Sequence, residues 1–283
     1  MKKILIIGAG AMGSAFSIPC IENNNEVTII GSVLENDFIS SIKSNKNLHP
    51  SLNVILPNNI KIEKFEKITE VTNINLDLVV VGVSSVGIDW VGKEISKFYK
   101  DKTPIILLTK GLSIIDDQLT TLTEKLEMIL KKNGHKNINI SSVKGPCLAS
   151  GLANKMRTGT IIANKNIKEA QKIQNIIQTE YYKCEISDDI EGIEISSAIK
   201  NLYSMLIGGS QGLSNPEASK EVQEKYYLNT AASLIHRSIS EMVEIVNNYS
   251  GKTETVYGLA GLGDIYVSCL LYTSDAADEE DSV

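Results

Sequence analysis

The first thirteen residues, MKKILIIGAGAMG, restrict this chain more than any other segment. Ile4–Ile7 is an unbroken apolar, mostly β-branched run, the composition of a strand buried on both faces. Gly8 to Gly13 follows at once as Gly-x-Gly-x-x-Gly, and the apolar stretch Met12–Asn23 has the character of a helix. In this pattern Gly8 permits a tight turn, Gly10 lets a pyrophosphate approach the backbone, and Gly13 lets the helix pack closely on the strand. A second strand, EVTIIG at Glu26–Gly31, follows in register, so the segment reads as the opening βαβ unit of a dinucleotide-binding domain.

The same grammar continues. Strands are expected at Asn59–Lys64, Asp77–Gly82, Pro104–Thr109, Ile138–Val143, Gly159–Ala163 and Tyr182–Ile186. Helices are expected near Asp37–Ser44 and at Ile88–Tyr99, Asp116–Lys132 and Ile167–Gln178. From Asp189 the character changes, because Ile190–Ile207 and Lys220–Asn248 are long, helix-periodic and free of strand-like alternation. The expected fold class is therefore α/β: a Rossmann-type, doubly wound, mostly parallel sheet over residues 1–188, followed by an all-α domain.

Composition narrows the partners. With 42% hydrophobic and 22% charged residues over 283 positions the chain is globular, and a net charge of -6 argues against nucleic acid or an anionic membrane. A local basic pocket for a small anion remains compatible with that balance. Cys20, Cys147, Cys184 and Cys269 lack Cys-x-x-Cys spacing, and His49, His135 and His236 stand far apart, so neither a metal site nor a disulfide framework is expected. The glycines interrupt the N-terminal apolar run too early for a signal peptide, and no segment approaches a membrane span, which points to a cytoplasmic protein.

The second strand ends in Gly31-Ser32, where a site preferring NAD usually carries an acid for the ribose 2′-hydroxyl; Glu35 and Asp37 come slightly later. An uncharged strand end that includes Ser32 favours NADP, with NAD the alternative. The apolar segment Ile105–Leu112 ends in Thr109-Lys110-Gly111, which places Lys110 at the carboxyl end of a strand, where cofactor chemistry in open α/β sheets occurs. In VKGPCLASGLA, Gly145-Pro146 turns a strand into a helix start, with Cys147 a candidate substrate contact and Ala149 a candidate cofactor contact. Ser196, Ser197, Lys200, Asn201, Ser204 and Gly208 recur at spacings of three and four on a largely apolar helix. If that stripe faces a cleft, Lys200 is a candidate proton acceptor, its pKa lowered by burial and a neighbouring Lys110; if it faces solvent, Lys200 is a surface charge. The glycine-rich segment Tyr257–Cys269 ends its glycines at Asp264, which suits either ligand approach or an interhelical turn.

Taken in order, GAGAMG, TKGL at Thr109–Leu112, GPCLA at Gly145–Ala149, AIKNLYSM at Ala198–Met205 and GLAGLGD at Gly258–Asp264 resemble bacterial and archaeal NAD(P)-dependent glycerol-3-phosphate dehydrogenases. The stretch Gly31–Leu52 looks more like the archaeal branch than the commoner bacterial one, which carries Trp-x-Arg at the second strand end. The resemblance implies reversible hydride transfer between the nicotinamide of NADP or NAD and C2 of dihydroxyacetone phosphate or sn-glycerol 3-phosphate, for phospholipid synthesis. It implies Lys200 as proton acceptor. Lys110, Gly145, Cys147, Asn201 and Asp264 would join it in binding substrate, and Cys147 stands where the family usually has a hydroxyl residue. Gly8, Gly10, Ala11, Met12, Gly13, Ser32, Lys110 and Ala149 would bind cofactor. A small-molecule substrate and a homodimer are the implied partners.

From Cys269 the chain reads CLLYTSDAADE, which resembles the translation of a transposase sequencing adapter. Cys269–Val283 is accordingly read as a non-native tail, and 189–268 as an incomplete helical domain without the family's following Arg-Asn segment. Weak or absent turnover is expected of such a chain. The alternatives are another two-domain NAD(P)-dependent hydroxyacid dehydrogenase or reductase and an inactive nucleotide-binding fragment.

Overall fold

The computed structural model describes residues 1–213, 220–221 and 228–274. They fall into two compact units, Met1–Val143 with Cys147–Asp188, and Lys144–Pro146 with the segment from Asp189 on.

The first unit is built on eight strands: β1 (Lys3–Ile7), β2 (Glu26–Ile30), β3 (Lys61–Glu63), β4 (Leu78–Val81), β5 (Pro104–Leu107), β6 (Asn139–Lys144), β7 (Thr158–Ala163) and β8 (Tyr182–Ser187). Their order across the sheet is β8-β7-β6-β5-β4-β1-β2-β3. The first six strands thus stand in the doubly wound order 3-2-1-4-5-6, whose direction reverses between β1 and β4. β1 pairs in parallel with β2 through Lys3 to Ile7 and with β4 through Ile4 to Ile7.

Alternation along β1 feeds two cores. Ile4 and Ile6 enter one cluster with Phe16, Ile173 and Ile177, while Leu5 and Ile7 enter another with Val91, Ile95 and Leu126. The first face is covered by α1 (Ala11–Glu22) and, further along, α7 (Ile167–Ile177); the second is covered by α4 (Ile88–Ser96) and α5 (Leu122–Lys132). Between them in the chain lie α2 (Asn36–Ser44), α3 (Ile68–Thr72) and α6 (Ala149–Ala153).

The helix expected over Asp116–Lys132 begins later. Leu112–Ile115 and Gln118–Thr121 form an antiparallel hairpin instead, closed by Asp116 and Asp117 with φ of 50° and 60°. Two consecutive left-handed residues make the tight hairpin turn that matches strand twist, a conformation aspartate tolerates. The helix then starts at Leu122, where the Thr121 hydroxyl accepts the Glu124 N–H at 3.2 Å. A second short hairpin, Leu48–His49 with Val54–Ile55, interrupts the stretch after α2.

The second unit is helical, comprising α8 (Ile190–Leu213), α9 (Leu228–Asn248), α10 (Thr253–Tyr257), a π-helical turn over Leu259–Gly263, and α11 (Asp264–Ser274). α8 packs on α9 and α11 around Ile193, Ile207, Met242, Val246 and Ile265, all buried. Asp189 begins it: its carboxylate accepts the Gly192 N–H at 3.0 Å as an N-cap and the Lys252 N–H at 2.9 Å. Of the helix expected at Lys220–Asn248, residues 222–227 lie outside the described residues, as do residues 275–283 of the expected tail. Among the described residues no helix is long and apolar enough to cross a membrane.

Candidate active site

Each unit carries part of the expected chemistry. In the first, β1 delivers the chain to Gly8, whose φ of +109° only glycine adopts without strain. A Cβ there would also stand 2.7 Å from the Gly82 carbonyl oxygen at the end of β4. A Cβ on Gly13 would meet the Gly8 carbonyl at 2.4 Å, so both glycines are demanded by the crossing of α1 over β1 and β4, where the strand order reverses.

Gly10 is different. Its backbone is ordinary, φ −62° and ψ 174°, and a Cβ placed on it meets nothing within 4 Å. The chain's own packing gives no reason for glycine at this position, whereas close approach of an external phosphate does. α1 begins beside it with no side-chain cap and no acidic residue in its first turn, leaving first-turn N–H groups available to an anion. The residues present therefore fit a dinucleotide. Ala11 and Met12 are half-buried in that first turn.

At the end of β2 the Ser32 N–H donates to Glu35 Oε2 at 2.6 Å, and Glu35 Oε1 accepts the Ala9 N–H at 3.0 Å. The fold thus brings an acid to the strand end that showed none in sequence. Lys110 follows β5, half-buried, between Thr109, whose hydroxyl donates to the Val83 carbonyl at 2.6 Å, and Gly111 at φ +132°. Cys147 is buried in the first unit, and Ala149 is the half-buried first residue of α6.

The second unit holds the other residues. Lys200 on α8 is 5% exposed and its ammonium donates to Asp264 Oδ1 at 2.7 Å and to Ser268 Oγ at 2.5 Å. Asp264, 2% exposed, follows the π-helical turn, and Ser268 comes one helical turn later on the same face of α11. Gly261 allows that turn to close, since a Cβ on it would lie 2.1 Å from the Val256 carbonyl. What the structure places at the Lys200 ammonium is thus a carboxylate that neutralises its charge in a buried setting.

Ser196, Ser197, Ser204 and Gly208 are buried on α8 with Lys200, as the spacing predicts. Asn201, four residues after Ser197 and three before Ser204, lies on the same stripe but is exposed. Gly145, buried with φ +131°, turns the chain after β6.

Sequence reasoning missed several partners. Ser268 stands four residues after Asp264, a helical spacing that was available to be read. Ser32-x-x-Glu35 has the spacing of a capping box, whose glutamate reaches back to the main chain. Lys144 and Glu194 form a fully buried ion pair at 3.5 Å within the second unit, across fifty residues of chain, and no local pattern announces it.

Residues 3–170 match the family model of the NAD-dependent glycerol-3-phosphate dehydrogenase N-terminus, and residues 189–275 match that of its C-terminus. An NADP(+)-dependent glycerol-3-phosphate dehydrogenase of Archaeoglobus fulgidus is 35% identical over 93% of this chain and 74% of its own length. A glycerol-3-phosphate dehydrogenase [NAD(P)+] of Fusobacterium nucleatum is 31% identical over 95% of this chain and 74% of its own. Among solved structures, glycerol-3-phosphate dehydrogenase from Coxiella burnetii superimposes with a TM-score of 0.77 at 22% identity, covering 98% of this chain and 82% of that one.

Proposed function

The chain belongs to the NAD-dependent glycerol-3-phosphate dehydrogenase family, and from that premise we propose that it interconverts dihydroxyacetone phosphate and sn-glycerol 3-phosphate with NAD or NADP. The observation that carries the reading beyond family membership is the buried Lys200, held by Asp264 and Ser268. When bound, the dinucleotide supplies or accepts the hydride at C2.

The protein's part is the proton. Lys200 gives a proton to the C2 oxygen during reduction and takes it back during oxidation, while Asp264 and Ser268 fix the direction of its ammonium. Lys110 adds positive charge for the anionic substrate, and Gly145, Cys147 and Asn201 complete the substrate contacts. Gly8, Gly10 and Gly13, with Ala11, Met12, Ser32, Lys110 and Ala149, form the cofactor side. Support for that half comes from Gly10, which the chain's own contacts leave unexplained.

The reading extends to residues 1–188 as the dinucleotide-binding domain and 189–268 as substrate domain, and to a cytoplasmic homodimer that provides glycerol phosphate for phospholipid synthesis. Sedimentation velocity tests the dimer. The activity is tested by following NADPH and NADH oxidation on addition of dihydroxyacetone phosphate, with Lys200→Met as control. Dihydroxyacetone phosphate that neither elicits oxidation nor binds the dinucleotide-loaded protein would overturn the proposed reaction.

A further inference from the structure

Ala9, between the turn glycine and Gly10, is gripped by side chains far from it in sequence. Its N–H donates to Glu35 Oε1 at 3.0 Å. Its carbonyl accepts from Ser14 Oγ at 2.9 Å and lies 3.1 Å from His49 Nε2. The other ring nitrogen settles the tautomer: His49 Nδ1 accepts the Leu52 N–H at 3.2 Å, which leaves the hydrogen on Nε2 to donate to Ala9. His49 is fully buried and meets the Phe38 ring edge-on at 5.1 Å. The second oxygen of Glu35 takes the Ser32 N–H, so one carboxylate ties the glycine loop to the end of β2.

This bracing sits where the loop most needs it. Two glycines within three residues make the segment costly to order, and α1 opens without a side-chain cap. Both peptide groups flanking Ala9 are engaged, one through its N–H and the other through its carbonyl, and the chain that follows is the row of N–H groups at the helix start. A loop held before the ligand arrives does not charge its ordering against affinity.

We propose that Glu35 and His49 are positioning residues that clamp the Ala9 peptide and preset the N–H groups of Gly10 to Gly13 for the dinucleotide pyrophosphate. The assignment rests on the cofactor reading above. Neither residue has to touch the ligand.

The test is calorimetric titration of the full chain with NADPH and with NADH, beside amide exchange of the ligand-free protein. Glu35→Ala and His49→Phe are each expected to weaken dinucleotide binding about tenfold, the loss of roughly one hydrogen bond to a charged or buried partner. Amides of residues 9–13 are expected to exchange about tenfold faster, while those of β4 and β5 keep their rates. His49→Gln, whose amide can still donate to Ala9, recovers part of the affinity. Glu35 is only partly buried, so its variants carry the test even where His49→Phe does not fold. Unchanged affinity and loop exchange in Glu35→Ala overturn the proposal, and so does acceleration spread evenly over the sheet. If the unaltered chain binds neither nucleotide, the cofactor reading fails and this assignment with it.

Discussion

Asp264→Asn probes the Lys200 site most directly. Lys200 is 5% exposed and Asp264 2% exposed, with 2.7 Å between nitrogen and oxygen, so both charges have left water and each is the other's compensation. Removing one charge strands the other, which costs about 3–5 kcal/mol for a pair this buried. Asparagine keeps an oxygen acceptor, placing Asp264→Asn at about 3 kcal/mol, the lower end. Lys200→Met should cost a similar amount, since the buried Asp264 carboxylate then loses the ammonium beside it. Replacing both by apolar residues, Lys200→Met with Asp264→Leu, removes the stranded charge and should return stability to within about 1 kcal/mol of the parent. The double-mutant cycle of Lys200→Met with Asp264→Leu in urea, followed by circular dichroism, should therefore give a coupling of about 5 kcal/mol, the two single losses of about 3 kcal/mol each less the roughly 1 kcal/mol that remains. Turnover behaves otherwise: both proteins lacking Lys200 should lose on the order of 10²–10⁴-fold in rate, because the proton has no carrier. The reasoning is refuted if Asp264→Asn is as stable as the parent, or if the stability-restored double variant regains turnover.

Three further outcomes are expected. Gly10→Ala should leave the melting temperature in place yet abolish measurable NADPH binding, whereas Gly13→Ala should destabilise by about 1–3 kcal/mol because its methyl has no space beside the Gly8 carbonyl; thermal melts with and without NADPH distinguish them. Burial holds the His49 imidazole below its ordinary value of 6.5, outweighing the Ala9 carbonyl and the Glu35 carboxylate that pull it up. Because the unfolded chain then takes up the proton first as pH falls, His49's contribution is complete above about pH 6.5 and declines below it; urea midpoints across that range should lose this slope in His49→Phe. Lys144→Met should destabilise by about 3–5 kcal/mol, and adding Glu194→Leu should recover most of the loss, read by the same urea titration.

What the sequence disclosed was local. β-branched runs, the glycine fingerprint and the 3.6-residue spacing around Lys200 each act within a few positions, and each is realised in a strand, a loop or a helix face. The hairpin over Leu112–Thr121 stayed hidden because its turn uses two aspartates in left-handed geometry where glycine or asparagine usually signals one. The exposure of Asn201 was not legible, because spacing assigns a residue to a helix face and says nothing of what covers that face. Glu35 and His49 act across 26 and 40 residues to reach Ala9, so only the closed fold reveals that they share a peptide. An acid absent from a strand end in sequence can still be brought back to it by the turn that follows.

The position of β1 also carries a cost during synthesis. This strand is made before both its neighbours, yet it stands between β2 and β4, and β4 is made only after three helices, β2, β3 and two short hairpin strands have passed. At translation speeds of about 5–20 residues per second, Leu5, Ile6 and Ile7 spend on the order of several seconds with one hydrogen-bonding edge vacant. The strand that anchors the glycine loop thus keeps an open adhesive edge on the nascent chain, and the interval before β4 arrives is one in which a chaperone has that edge to shield.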